Sequence, residues 1–251
     1  MWSYYAIAPN TIPNDKMSSE NRYPCPCCGY KTLDAKPPGT YLICPICFWE
    51  DNEDMTDEYE YNWSSSNQVS LRQAQRNFIE FGACEQHWLN DVRAPTVDDV
   101  RDSNWEIIDV LAEKARLTLI EKINAAFKDV TLEDGVSLHQ ARARDDYEDE
   151  WLARQIDREV RWQEIPDSWI KTFHDVFSFM DAKGFRHAIP AYMLWCLKPN
   201  KSNTNSFWAT TYYLRQNSNP LFELFNETQL QVISEFLDFI DIFPETFTAL
   251  S

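Results

Sequence analysis

Four cysteines at fixed spacing constrain this chain more than any other feature: Cys25-Pro-Cys-Cys28 and Cys44-Pro-Ile-Cys47, two C-x2-C pairs separated by fifteen residues. A two-residue gap turns both thiolates of a pair toward one ion about 2.3 Å away, and two such turns complete a tetrahedron. Pro26 and Pro45 fix φ directly after the first cysteine of each pair, and Gly29 lets the backbone fold back so that its amides reach the sulfurs. With every position filled by protein, no place remains for an activated water. The expected site is one structural zinc ion held by Cys25, Cys28, Cys44 and Cys47, rather than a catalytic metal or a redox C-x-x-C pair.

The remaining thiols fit around that expectation. The chain has seven cysteines, an odd number, and five of them fall within residues 25–47. Such a cluster suits a metal site in a reducing compartment better than a disulfide framework, which places the protein in the cytoplasm. Cys27 reads as a spare thiol, packed or half exposed, with exchange against Cys25 or redox sensing as the alternatives. Cys84 and His87 form a C-x-x-H pair, but two donors do not make a second metal site, and Cys84 reads as core. Cys196 lies in an apolar helix and reads as core too.

Charge narrows the partners. The formal net charge of −17 opposes the counterion displacement that nucleic-acid binding requires. Glu50 to Glu60 holds seven carboxylates and no base, Asp145 to Glu150 holds five in six residues, and Gln216 to Ser251 holds six with no lysine or arginine. This pattern is read either as solvated surface or as a field that steers a basic protein partner. The longest apolar run, Ile189 to Leu197, is too short to cross a bilayer, and the N-terminal residues lack the pattern of an export signal. With five glycines, none spaced for a G-x-G-x-x-G turn or a Walker loop, nucleotide sites of those kinds are absent, as are G-x-S-x-G and H-E-x-x-H.

An α+β organisation follows: an N-terminal arm over 1–20, a small zinc-ribbon-like β module plus one helix over 21–97, and a mostly helical domain over 98–251. Two short hairpins carry the cysteines, with a turn at Pro37-Pro38-Gly39 between them. Ser70 is placed as N-cap of a helix with Gln73 completing a capping box, Leu71, Ala74, Phe78 and Phe81 on one face, and Gly82 as its stop. Beyond a linker near Arg93-Ala94-Pro95, helices are expected over Trp105–Phe127, from Val136 toward Arg161, from Pro166 to Gly184, and from Pro190 to Leu197. Leu117, Ile120, Ile123 and Phe127 give the first of these its apolar repeat. Lys198 to Ser206 reads as a loop, and Thr228 with Gln231 caps a final helix. The repeat of Val69-Ser-Leu-Arg-Gln-Ala at Val136-Ser-Leu-His-Gln-Ala is read as two S-x-x-Q capping boxes.

No catalytic residues are assigned. His139 lies near Asp145 and Asp146 in sequence, and Arg186 and Tyr192 lie near Pro190, but these are thin grounds for an enzyme. His174 and His187 show no partner at a telling spacing.

Tyr23-Pro-Cys-Pro-Cys-Cys-Gly-Tyr-Lys-Thr-Leu, followed by Ile43-Cys-Pro-Ile-Cys-Phe-Trp-Glu-Asp, Ser70-Leu-Arg-Gln-Ala-Gln-Arg-Asn-Phe and Phe81-Gly-Ala-Cys84, closely resembles the bacterial cysteine-rich CPCC family over about residues 21–97. The resemblance implies a zinc-ribbon-like unit and a bacterial source. Residues of about 115–245 are similar to an uncharacterised bacterial domain-of-unknown-function family, through Ile123-Asn-Ala-Ala-Phe127, Gly135-Val-Ser-Leu, Asp145-Asp-Tyr147, Phe179 to Phe185, Pro190-Ala-Tyr-Met193 and Gln229 to Leu237. Neither resemblance brings an activity. The expected function is a stoichiometric protein-binding module, most concretely an immunity protein that caps a basic toxin. The alternatives are a general adaptor and a nucleic-acid-associated ribbon using Arg22, Lys31 and Lys36 with Tyr30, Tyr41, Phe48 and Trp49.

Overall fold

Cysteine knuckles must be closed by backbone hydrogen bonds before they can hold anything, and here two hairpins do so. In a computed structural model of the chain, which describes residues 22–52, 66–157, 160–201, 204–216 and 220–243, β1 (Tyr23–Pro24) and β2 (Lys31–Leu33) pair antiparallel around the first C-x2-C turn. A second, shorter pairing of Ile43 with Glu50 flanks the other turn. The sheet is minimal and the remaining regular structure among the described residues is helical, so the chain is α+β, with a cysteine module followed by a helical region. It divides into two compact units, the first running to Ile107 and the second from Ile108.

In the first unit α1 (Leu71–Phe81) begins where Ser70 accepts from the Gln73 amide and ends at Gly82, whose φ of 90° suits a glycine. Gln73 does not complete a capping box. Its side-chain amide reaches forward to Asn77 at 2.8 Å. Leu71, Ala74 and Phe78 share one face as expected, and it packs against the cysteines, whereas Phe81 is not part of that cluster. After a 3-10 turn at Gln86–Trp88, the chain runs without regular structure to residue 107, apart from a bridge of Arg101 to Tyr30.

The second unit contains seven α-helices among the described residues. They are α2 (Ile108–Ala126), α3 (Leu138–Asp145), α4 (Glu150–Arg154), α5 (Asp167–Thr172), α6 (Ala182–Cys196), α7 (Asn205–Leu214) and α8 (Glu227–Ile242). At its centre is α6, packed by α2, α5 and α7. Phe185, Tyr192 and Trp195 of α6 are fully enclosed, and Phe177 lies edge-on to both Phe185 (5.3 Å) and Tyr192 (4.8 Å). Gln229, 1% exposed, ties three elements together. It completes a capping box with Asn226, donates to the Ala126 carbonyl at 3.0 Å and accepts from Arg186 at 3.1 Å.

Several helix boundaries differ from the sequence expectation. Trp105 lies outside α2, whose buried face is Ile108, Ala112, Leu119 and Ile123, while Leu117 is exposed. The helix from Leu138 stops at Asp145, and Asp149 caps a new one. Gly184 does not end a helix: it sits in the first turn of α6, with Asp181 accepting from its amide at 2.8 Å. Pro190 is therefore in the middle of α6. Asn226, not Thr228, caps α8, and α7 lies where no helix was expected. No helix among the described residues is long and apolar enough to cross a membrane.

Candidate metal centre

The two cysteine turns are built alike. In the first, the Gly29 amide donates to the Cys25 carbonyl (2.8 Å) and the Cys25 amide to the Tyr30 carbonyl (2.9 Å). In the second, the Phe48 amide donates to the Cys44 carbonyl (2.8 Å) and the Cys44 amide to the Trp49 carbonyl (2.9 Å). The Gly29 amide thus closes its knuckle on a carbonyl, not on a sulfur. The geometry requires a left-handed residue at the fourth position after the first cysteine: Gly29 has φ 76° and Phe48 has φ 68°. Glycine adopts this freely. Phe48 is held in it by its ring, stacked on Trp88 at 4.0 Å and 22°.

These turns bring Cys25, Cys28, Cys44 and Cys47 together, all buried, with their sulfurs within 4.8 Å of one another. Cys25 Sγ lies 3.6 Å from Cys47 Sγ, and Cys28 Sγ lies 3.6 Å from Cys44 Sγ. Metal–sulfur bonds of about 2.3 Å give a tetrahedron whose edge is about 3.8 Å, so the sulfurs stand close to where one ion would hold them. A disulfide would need about 2.05 Å. The donor set therefore fits a metal ion.

Electrostatics argue the same way. Burial raises the Cys25 and Cys47 thiols well above their ordinary range. Cys44 moves the other way, lowered by hydrogen bonding with the Cys25, Cys28 and Cys47 side chains and by Thr32 Oγ1, which donates to its sulfur at 3.2 Å. Four thiolates at once need a positive ion at their centre.

The surrounding sequence satisfies the carbonyls that the knuckles leave open. Pro26 O accepts from both Gln75 Nε2 (2.9 Å) and Trp105 Nε1 (2.9 Å), and Cys28 O accepts from Arg101 Nε (2.9 Å). Asp102 N donates to Gly29 O at 2.9 Å. On the second knuckle, Cys84 N donates to Cys47 O (2.6 Å) and Arg93 N to Pro45 O (3.1 Å). Arg101 also lies over the Trp105 ring at 4.3 Å. Sequence reasoning missed this role for Gln75, Arg101 and Trp105; a buried glutamine on the apolar face of α1 was the one signal that could have found it.

Cys27 and Cys84 are both fully buried against the same cluster. Burial raises both thiols, as expected of core positions. His87 is exposed, packs on Trp88 and is not one of the four grouped donors among the described residues. Cys196 is enclosed and pushed up to about 12 by burial.

The other sequence candidates do not assemble into a site. His139 pairs with Asp157, its Nδ1 3.0 Å from Oδ2, while Asp145 pairs with Arg142 at 2.8 Å. Trp169 and Phe173 stand edge-on to the His139 ring. Tyr192 is buried with its hydroxyl donating to Phe173 O at 2.7 Å, so it is a core residue. His174 is hydrogen-bonded to the Lys171 carbonyl, and His187 is buried. Of the basic and aromatic residues considered for nucleic acid, Arg22 pairs with Asp34 at 2.8 Å and Trp49 is buried.

Of the acidic run at Glu50–Glu60, residues 53–60 lie outside the described residues, as does the arm at 1–20. Asp51 is buried and accepts from Thr40 N (2.9 Å) and Thr40 Oγ1 (2.6 Å), and Glu50 accepts from Ser66 at 2.9 Å. These two acids brace the second hairpin. In α8, Glu235 pairs with Lys122 (2.8 Å) and Asp241 with Arg215 (2.6 Å).

Residues 23–99 match the family described as Cysteine-rich CPCC. Residues 115–247 match the Family of unknown function (DUF6714). No curated protein and no solved structure matches the chain.

Proposed function

Starting from a chain that belongs to the DUF6714 family of unknown function and carries a CPCC module ahead of it, we propose a zinc-stabilised, acidic protein-binding molecule that acts by stoichiometric occlusion and not by catalysis. The observation that carries this reading is the closed, fully buried four-thiol cluster. Zinc held by Cys25, Cys28, Cys44 and Cys47 would supply folding free energy and a fixed backbone. The chain's own residues then do the rest: Gln75, Trp105 and Arg101 hold the knuckle carbonyls, and the module presents a rigid surface.

The net charge of −17 points to a basic partner. Its most concrete form is a bacterial toxin whose site expects an anionic substrate, capped by carboxylates of this protein, with the molecule acting as an immunity protein in the cytoplasm. Co-expression with the product of the adjacent gene tests this. A one-to-one complex is expected, and deletion of this gene should be toxic only while the neighbour is intact. A neighbour that neither binds nor harms the cell removes the immunity reading.

A further inference from the structure

Four large apolar side chains stand exposed within ten residues of the second unit. Tyr147 is 97% exposed, Trp151 72%, Leu152 62% and Ile156 57%. Scattered single residues of this kind need no explanation, but a run of them does. With about 150–250 Å² for a whole aromatic side chain, they present on the order of 500 Å². That sum is more than half of the roughly 800 Å² each partner gives to a standard interface.

The segment is held in place from behind. Asp149 caps α4, accepting from the amides of Trp151 (2.9 Å) and Leu152 (3.1 Å). Arg154, on the same helix, is tied to the carbonyls of Glu133 (2.6 Å) and Gly135 (2.5 Å). Arg144 pairs with Glu150 at 2.7 Å. A surface fixed this way loses little freedom on binding.

Its flank decides the partner. Five carboxylates occupy residues 145–150. Arg142 is shared among Asp145, Asp146 and Asp175, and Arg144 is taken by Glu150, so the acids outnumber their cations. A second copy would bring the same carboxylates face to face across a two-fold axis, which like-charge repulsion opposes.

The geometry points to residues 147–156 as a docking surface for a basic protein segment, with Tyr147 and Trp151 inserting as apolar anchors and the carboxylates of 145–150 meeting lysine or arginine at the edge. This rests on the partner-binding reading above and adds its location. The probe is an 18-residue helical peptide with leucine on one face and lysine on the other, and the control replaces lysine by glutamate. Full-length chain labelled with 5-fluorotryptophan reports through the Trp151 signal, assigned with Trp151→Phe. The lysine peptide should shift that signal saturably. Its affinity should fall at least tenfold in Tyr147→Ala, in Asp146→Lys with Glu148→Lys, and on replacing lysine by glutamate.

Equal binding of both peptides, or affinity unchanged in these variants, overturns the proposal. So does a homodimer that Trp151→Ala disperses in sedimentation equilibrium, since the surface then belongs to a second copy. The peptide experiment needs no natural partner, so its failure is separate from failure of the immunity reading. If a natural partner is captured and the variants leave its binding unchanged, the docking surface is refuted while partner binding stands.

Discussion

Gly29→Ala is the sharpest perturbation of the first unit, because two separate physical effects meet at that position. The residue has φ 76°, and a Cβ there would lie 2.6 Å from both Cγ and Cδ2 of Trp105. The left-handed backbone costs a non-glycine residue about 1–2 kcal/mol, partly offset by a stiffer unfolded chain. The contact forces the Trp105 ring aside, and its hydrogen bond to Pro26 O and its stacking on Arg101 go with it. These are worth about 1 kcal/mol and about 0.5–1 kcal/mol. The total is roughly 2–4 kcal/mol. Since metal binding and folding are coupled in such a module, this appears as an apparent zinc affinity about 30- to 1000-fold weaker in competition with a chromophoric chelator. In a Trp105→Ala background the clash is gone, so Gly29→Ala should cost only the backbone share, about 1 kcal/mol. An affinity within threefold of wild type, or equal costs in the two backgrounds, would refute the packing of Trp105 on the knuckle.

Other outcomes follow from the same contacts. Gln75→Leu leaves Trp105 donating to Pro26 O, so it should weaken zinc about fivefold; adding Trp105→Phe should cost more than the sum of the singles, by chelator competition, because a buried carbonyl then loses both donors. Gly184→Ala places a Cβ 2.0 Å from Val136 O, and should destabilise the second unit by at least about 3 kcal/mol in denaturant titration followed by amide NMR, while zinc content is retained. Burial lowers His187 to about 4 from 6.5. The unfolded chain therefore binds the extra proton first, and about 3 kcal/mol of stability should be lost as pH falls from 6.5 to 4. His187→Gln should flatten that part of the difference in urea midpoints, and an unchanged slope would contradict the burial argument.

What was legible in the sequence was what local chemistry dictates. The C-x2-C turns, the Ser70 cap and the Gly82 stop depend on neighbours a few residues away, and each can be seen in the chain. Legibility failed where a distant contact decided the outcome. Gly184 looks like a terminator, but it is glycine because the Val136 carbonyl approaches it inside α6. Asn226 prevails over Thr228 as a cap because Gln229 is drawn to the end of α2 and to Arg186. One miss was local instead: Ser137 completes the capping box that Ser70, in a nearly identical hexapeptide, does not, since Gln73 turns to Asn77 four residues on. The cysteine cluster shows the same division: the convergence of its four sulfurs could be read from spacing, whereas the contact of Trp105 with Pro26, 79 residues away, could not.

Zinc K-edge X-ray absorption of the purified chain, with metal content measured alongside, most directly tests whether the four thiolates enclose an ion with no open position. One zinc per chain with four sulfur neighbours at about 2.3 Å is expected, lost in Cys44→Ser together with the fold of residues 23–50. A metal-free chain with Cys25, Cys28, Cys44 and Cys47 paired as disulfides would contradict it, as would a shell containing oxygen from bound water.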